Sequence, residues 1–300
     1  MLNKLDFYHS LIFFNFCIIL SSLDFVKNQN FLFACLFLIM TIGISHGSLD
    51  NLKGKKVLKM YNLQNIFIFY FLYTFLALIV ILLWVSFPNF ILAIFLIVAS
   101  YHFGKEDTVF KINIKGVKKD ILFLIKGSSI IIAPLLFNFE KTNEIFLMLN
   151  FDLFDKIIIT KVLLSIILIL SFISGLVLSN LENVDYKSLT IMDFISIILL
   201  NYFLNPILAF TIYFCLLHSI RHSLTLIFEL DSKFSTGLEK FAKKALPLTF
   251  VTALIYLLSI YNLSSFYELN NAIYKVIFIG LASLTFPHIL LEYLIEKNEK

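Results

Sequence analysis

The sequence predicts an all-α protein: a polytopic transmembrane helical bundle of about 8–10 spans, forming one integral-membrane domain over residues 1–300. Sixty per cent of the residues are hydrophobic and 35 are Phe, which is more apolar surface than a soluble domain of this size can bury. The apolar runs are long and continuous, as in membrane helices, and do not alternate as in membrane β-strands. The net charge of +4 comes from lysines between these runs and gives no indication of nucleic-acid binding.

Ten apolar segments are long enough, at about 20 residues each, to be candidate spans. In chain order they cover residues 9–26, 31–47, 63–86, 88–104, 120–139, 157–180, 189–204, 206–228, 247–267 and 272–294. The first and seventh are each interrupted by an aspartate, Asp24 and Asp193, so eight or nine crossings are an alternative. Pro88, Pro206 and Pro247 are predicted to open their helices, because a proline at the first helical position costs no hydrogen bond.

The lysines between the segments predict the orientation of the chain in the lipid bilayer. With ten spans, seventeen lysines lie on the side of the two termini, and only Lys27, Lys141 and Lys156 lie on the other side. Cytoplasmic loops of membrane proteins carry the excess of Lys and Arg. Both termini are therefore expected in the cytoplasm, and the chain is expected to be a multi-pass protein of the cell inner (cytoplasmic) membrane.

Five of the six histidines are predicted to converge in the cytoplasmic half of the membrane. His46, His102 and His288 lie towards the ends of the second, fourth and tenth segments, and His218 and His222 lie in the second half of the eighth. All four segments run towards the cytoplasm. Unpaired imidazoles are costly in hydrocarbon, but several of them can share one metal ion. The i, i+4 spacing of His218 and His222 places both rings on one helix face, within reach of the same ion.

The converging imidazoles predict a metal site of a kind that suits Fe, Cu, Zn or Ni. Its expected ligands are His46, His102, His218 and His222. The role of His288 is open between a further ligand, a base that supports the ligands and a packing residue. His9, near the start of the first segment, is interpreted as a hydrogen-bonded packing residue.

Charged residues near these histidines are expected to support the site. Asp50 and Asp107 follow the histidines of the second and fourth segments by four and five residues, so each carboxylate can accept a hydrogen bond from the ring before it. Together with Glu292 they would offset part of the charge of a metal ion in a low dielectric. Arg221, the only arginine of the chain, is expected to pair with one of these acids or to extend to the cytoplasmic surface.

Four motifs that contain the histidines resemble the Brp/Blh family, bacterial and archaeal membrane enzymes that cleave β-carotene to retinal. In chain order the motifs are GISHGSLD, YHFGKED, YFCLLHSIRHS and FPHILLEYL, and with the spans between them they cover nearly the whole chain. The third, H-S-x-R-H after an aromatic run, is the most specific.

The resemblance implies an activity and a cofactor. It implies a β-carotene 15,15′-dioxygenase that uses dioxygen and Fe2+ and gives two molecules of all-trans-retinal. The ligands that it implies for iron are His46, His102, His218 and His222. No catalytic residue is expected beyond the metal site, and a functional link to a microbial rhodopsin is the natural expectation in this family.

Two other classes of function compete with this interpretation. A haem-binding membrane cytochrome would place paired histidines on opposing helices, often at two depths in the membrane. A histidine-rich membrane metal or proton transporter would need carboxylates near the middle of the bilayer, and Asp24 and Asp193, the only candidates, are not well placed. Membrane fatty-acid desaturases use histidine clusters for two metals and need more histidines than the six present here.

Overall fold

The computed structural model describes residues 2–27, 31–109, 116–152, 160–180 and 184–298, and within these ranges the chain forms helices and no strands. In chain order the helices are α1 (Leu2–Ser22), α2 (Asp24–Lys27), α3 (Leu32–Leu38), α4 (Asp50–Met60), α5 (Ile66–Ser86), α6 (Pro88–Glu106), α7 (Val117–Gly127), α8 (Ser129–Phe137), α9 (Phe139–Met148), α10 (Lys161–Asn180), α11 (Val184–Phe203), α12 (Pro206–Ile212), α13 (Ile220–Leu230), α14 (Phe234–Leu263) and α15 (Leu269–Asn298). Wider and tighter turns join some of them: π-helical turns at Ile39–Gly43 and Tyr213–Ser219, and a 3-10 turn at Ser45–Leu49. The predicted all-α class is confirmed.

Nine helical stretches among the described residues are long and apolar enough to cross a membrane. They correspond to all of the predicted segments except the seventh, which forms α11. Helix α11 is also 20 residues long, and it packs against α1, α8 and α10 inside the bundle. The polytopic bundle and the range of span counts are thus confirmed, while the side of the membrane that holds the termini stays a prediction.

The outer surface of the bundle is apolar, as a lipid-facing surface must be. On α5, Phe67 and Phe71 are 75% and 69% exposed, and on α14 Phe250 is 66% exposed. A soluble monomer rarely exposes such contiguous apolar area. The hydrophobic residues of this chain therefore divide between a buried core and an outer face that suits hydrocarbon.

Pro88 and Pro206 begin helices as predicted, but the prediction for Pro247 is wrong. Pro247 lies inside α14, which starts at Phe234 and runs without a break to Leu263. The apolar run does begin near Pro247, because lysines precede it. Charged residues interrupt the apolar run, but they do not interrupt the helix. A proline removes one hydrogen bond, and long membrane helices tolerate that loss.

Helix α9 is a short helix between the fifth and sixth apolar segments, and it was not predicted from the sequence. Helix α9 contributes Thr142, Ile145 and Phe146 to the interior of the bundle. Its sequence mixes charged and apolar residues, so it was too short and too polar to register as a span. The same three residues line part of the cavity described below.

Helices α6 and α7 cross at unusually close range next to the predicted site. A Cβ on Gly104 would collide with the carbonyl of Phe123, and a Cβ on Gly127 would collide with the carbonyl of Ser100. Small residues at a crossing let two backbones touch. Because His102 is only two residues from Gly104, this crossing fixes the position of His102 in the bundle.

Candidate metal centre

The chain widens into π-helical turns beside two of the predicted ligands. One turn, Tyr213–Ser219, carries His218, and the other, Ile39–Gly43, precedes His46 by three residues. The two turns pack against each other, and the Ser219 hydroxyl donates to the Gly43 carbonyl at 3.3 Å. π-Turns inside α-helices occur frequently at functional sites. The α-helical spacing assumed for the histidine pair of the eighth segment therefore applies to only part of that stretch.

Four histidine rings from three helical stretches meet beside these turns. They are His102 of α6, His218 of the π turn, His222 of α13 and His288 of α15, and together they are called the histidine cluster. The ring centroids of His102 lie 5.3 Å from those of both His218 and His288, and the His222 and His288 centroids lie 6.2 Å apart. His102, His218 and His288 are buried. The side chain of His46 lies outside the described part of the structure.

Each of three rings in the cluster has a carboxylate at its Nδ1 atom. Asp107 lies 2.9 Å from Nδ1 of His218, and Asp50 lies 2.8 Å from Nδ1 of His288. The third pair differs in residue type, since a glutamate, Glu106, lies 3.2 Å from Nδ1 of His222. A carboxylate that accepts the Nδ1 proton fixes the neutral tautomer whose lone pair is on Nε2, the form that binds a metal.

The Nε2 atoms of these same three rings, in His218, His222 and His288, are all buried from solvent. Because Nδ1 of each ring faces its carboxylate, Nε2 is the atom left to face the interior of the cluster. Imidazoles oriented in this way are the usual form of histidine ligands in metalloproteins. The donor set therefore fits a divalent transition metal.

Two tyrosines complete the outer layer of the cluster. The hydroxyl of Tyr213 donates to Asp107 at 2.5 Å, and the hydroxyl of Tyr73 donates to Asp50 at 2.9 Å and to the carbonyl of Leu284 at 3.2 Å. Each aspartate thus stands between a tyrosine and a histidine. Neither tyrosine was predicted from the sequence. The only sequence feature that could have indicated such a role is the position of Tyr213 five residues before a predicted ligand.

The predicted aspartates both reach the site, where each bonds a histidine ring on another helix. Asp107 follows His102 in sequence yet bonds His218, and Asp50 bonds His288 of α15. A residue at a helix end is directed towards neighbouring helices, so spacing along one chain segment does not decide its partner. Burial acts to raise the pKa of Asp107, but the charge and hydrogen bond of His218, with the nearby guanidinium of Arg221, hold that pKa well below its ordinary value. Asp107 therefore stays ionised.

Two glutamates add possible ligand atoms on the side of the cluster away from the π turns. Ligand atoms of Glu292, His102 and His288 lie within 4.8 Å of one another, and so do those of Glu292, Glu106 and His222. Glu292 also accepts a hydrogen bond from a lysine, Lys53, at 2.7 Å. Glu292, which was predicted to support the site, thus lies beside the histidine cluster. Glu106 also lies beside it and was not predicted from the sequence.

The prediction for Arg221 is wrong. Its side chain is 2% exposed and forms a two-point ion pair with Asp193 of α11, at 2.8 and 3.1 Å, so it does not extend to the surface. It also donates to the hydroxyl of Ser10 on α1 at 2.7 Å. The aspartate that seemed to weaken the seventh segment is therefore the partly buried counter-charge of the only arginine.

His9 is a hydrogen-bonded packing residue, as interpreted from the sequence. Its Nε2 lies 2.9 Å from the carbonyl of Leu216, which belongs to the Tyr213–Ser219 π turn. A π turn disrupts the regular i→i−4 ladder and leaves carbonyls that need other donors. His9 supplies such a donor and joins α1 to the helix that carries two rings of the cluster.

The cluster opens onto an elongated cavity of about 450 Å3 with mainly apolar walls. His102 and His288 form part of its lining, and aromatic side chains such as Phe210, Phe214 and Phe278 form much of the rest. The cavity also reaches the outer surface between α5 and α14. There the lining residues Leu78, Ile81, Val251 and Ile255 are 52%, 36%, 51% and 55% exposed. An apolar molecule in the bilayer can enter at this side opening.

The comparison with protein families decides the membership of this chain. The model of the family described as beta-carotene 15,15′-dioxygenase matches residues 37–296. The chain belongs to that family. The match confirms the resemblance to the Brp/Blh proteins, and the matched range includes every histidine except His9.

One curated relative agrees with the family assignment. A beta-carotene 15,15′-dioxygenase of the uncultured marine bacterium 66A03 is 29% identical over 263 residues, which are 85% of this chain and 90% of the relative. No solved structure matches the chain.

Proposed function

We propose that the protein cleaves β-carotene with dioxygen at the central 15,15′ double bond and releases two molecules of all-trans-retinal. The observation that carries the proposal is the histidine cluster at the wall of an apolar, laterally open cavity in a member of this family. A hydrocarbon substrate is bound through the shape and depth of a cavity rather than through polar contacts, and this cavity has a suitable shape and depth. The reaction balances, because one dioxygen molecule and one carbon–carbon double bond give two aldehydes.

We propose Fe2+ as the metal and place it among the Nε2 atoms of the histidine cluster. The proposed ligands are His46, His102, His218 and His222. His288 belongs to the centre on the same grounds as His218, because its Nδ1 is held by an aspartate and its Nε2 is buried. When bound, Fe2+ supplies the redox chemistry that activates dioxygen.

The residues of the chain position the metal ligands and the substrate and keep water out of the site. Asp107, Asp50 and Glu106 hold the rings in one tautomer and one orientation, so that the site is ordered before the substrate arrives. The apolar walls exclude water and align the polyene along the cavity, with its middle at the cluster. Regioselectivity then follows from where the cavity ends, and no acid, base or nucleophile of the chain is required.

The surroundings of the enzyme follow from the same proposal. The lysine asymmetry supports a multi-pass protein of the inner membrane with the cluster near the cytoplasmic face. β-Carotene enters from the lipid bilayer through the opening between α5 and α14. The retinal passes to a retinal-binding membrane protein such as a microbial rhodopsin.

Expression in a bacterial strain that accumulates β-carotene tests the proposal. The wild-type chain should bleach the yellow cells and produce retinal, measured by liquid chromatography, and His218→Ala should do neither while still present in the membrane. His9→Gln is the matched control, because it changes a histidine outside the cluster and keeps a hydrogen-bond donor. Unchanged carotene with a haem absorption band would favour a cytochrome, and unchanged carotene with metal or proton flux in vesicles would favour a transporter.

A further inference from the structure

The histidine cluster has one apolar side and one charged side. On the apolar side lies the cavity, which opens towards lipid between α5 and α14. A divalent cation is extremely unfavourable in hydrocarbon, so the opening that serves the carotenoid cannot serve Fe2+. On the charged side lie Glu106 and Glu292, which are only partly buried. Any path that fills the cluster with a cation therefore begins on the charged side.

One face of α15 connects this charged side to solvent. His288, Glu292 and Glu296 are spaced four residues apart, so their side chains follow one helix face at intervals of about 6 Å along the axis. Their side chains become more exposed in that order, at 5%, 11% and 51%. These three residues, called the α15 ladder, place potential metal ligands in a row from solvent to the cluster.

Glu292 is the middle step of the α15 ladder and belongs to two groups of potential ligand atoms. One group contains His102 and His288, the other contains Glu106 and His222, and within each group the atoms lie within 4.8 Å of one another. His102 is buried, and its ring makes no hydrogen bond with any other residue that the structure describes. Glu292 can therefore hold a cation beside imidazoles that are ready to bind it.

Two lysines balance the charge of the α15 ladder. Lys53 donates to Glu292 at 2.7 Å, and Lys105 lies 2.7 Å from Glu296 and 3.9 Å from Glu292. Both lysine side chains are partly exposed, and an ammonium group on a flexible stem can turn into water. A cation that binds Glu292 thus replaces Lys53 as the counter-charge of this carboxylate.

We propose that Glu292 and Glu106 form a transit site through which Fe2+ enters and leaves the histidine cluster. The inference rests on the proposed function, because it concerns the same Fe2+, and it adds the path to the ligands. Glu296 attracts the hydrated ion, Glu292 binds it in place of Lys53, and the imidazoles then replace its remaining water ligands. Because the same site serves both directions, it sets how fast the cluster fills and empties and not how tightly it holds the ion.

The test follows uptake of Co2+, whose visible absorption reports binding to imidazole, and of Fe2+ under anaerobic conditions. The sample is the detergent-solubilised full chain after treatment with a chelator. Glu292→Gln keeps the shape of the side chain and removes its charge, so uptake should slow about tenfold, as expected when electrostatic attraction of an ion is lost. Release to a strong chelator should slow by the same factor, which leaves the affinity at the wild-type value. Glu239→Gln is the matched control, because Glu239 also pairs with a lysine but is exposed and lies outside the cluster.

Further outcomes decide between a transit role and its alternatives. Lys53→Met should take up Co2+ faster than wild type, because its ammonium group no longer competes for Glu292. Uptake and release at wild-type rates in Glu292→Gln would overturn the inference. A loss of Co2+ affinity in Glu292→Gln as large as that in His218→Ala would also overturn it, since Glu292 would then be a permanent ligand. The proposed reaction is tested separately, because metal uptake is measured without carotenoid.

Discussion

Asp107→Asn is the sharpest test of how the chain prepares the proposed metal centre. The Asp107 carboxylate is buried and accepts from Nδ1 of His218 at 2.9 Å and from the Tyr213 hydroxyl at 2.5 Å. Asparagine has nearly the same shape but only one acceptor oxygen and no charge. The variant can therefore keep one of the two hydrogen bonds, and only in its weaker, neutral form.

The size of the effect follows from these two contacts. A hydrogen bond to a charged group contributes about 1.5–3 kcal/mol and a neutral one about 1 kcal/mol, so the His218 ring loses about 0.5–2 kcal/mol of the stabilisation that holds its orientation. If that loss falls on the metal-bound state, iron affinity drops roughly 2–30-fold, which overlaps the loss of about 10–100-fold seen for partners of metal ligands.

The measurement is iron content per chain after competition with a chelator of known affinity, with retinal formation recorded in parallel. Asp120→Asn is the control, because Asp120 also accepts from a tyrosine, Tyr101, but lies outside the histidine cluster. Iron affinity of Asp107→Asn equal to that of wild type, in a variant that elutes as a folded species, would refute the idea that this carboxylate orients a ligand.

Three further changes are predicted. His288→Ala should lower the iron content and retinal formation as much as His218→Ala does, whereas a purely packing role would leave iron content unchanged. Arg221→Ala should destabilise the fold by about 3–5 kcal/mol, because it leaves the partly buried Asp193 carboxylate without its counter-charge. The double variant Arg221→Met/Asp193→Leu should recover much of that loss in thermal unfolding in detergent. Gly104→Ala should strongly lower the yield of folded protein, because the new methyl group would collide with the Phe123 backbone. Gly47→Ala is the control: its methyl group would meet nothing within 4 Å, so this variant should unfold at the wild-type temperature.

Composition and apolar length were enough to predict the helical class and most spans, because both depend on transfer of side chains into hydrocarbon. The exceptions have the same origin. The helix through Pro247 extends beyond its apolar run, and α9 is too short and polar to register. Apolar length measures contact with lipid, whereas a helix continues as long as its backbone hydrogen bonds are satisfied.

The convergence of the histidines could be predicted, because the segments that carry them cross the membrane in the same direction. Residues near the ends of such segments lie at the same depth in the membrane. The partners of those histidines could not, since Asp107 and Asp50 bond rings on other helices. The π turn at Tyr213–Ser219 has no signature in the residue types, and neither does the pairing of Arg221 with Asp193. Contacts of this kind depend on how helices rotate about their axes, which hydropathy does not determine.

The first helix has a consequence for how the enzyme is handled in the laboratory. The family match begins at residue 37, yet Ser10 bonds the guanidinium of Arg221 and His9 bonds the carbonyl of Leu216. A shortened chain trimmed to the matched range would expose the polar edges of the helix that carries His218 and His222. Affinity tags are therefore better fused beyond α15 than substituted for α1.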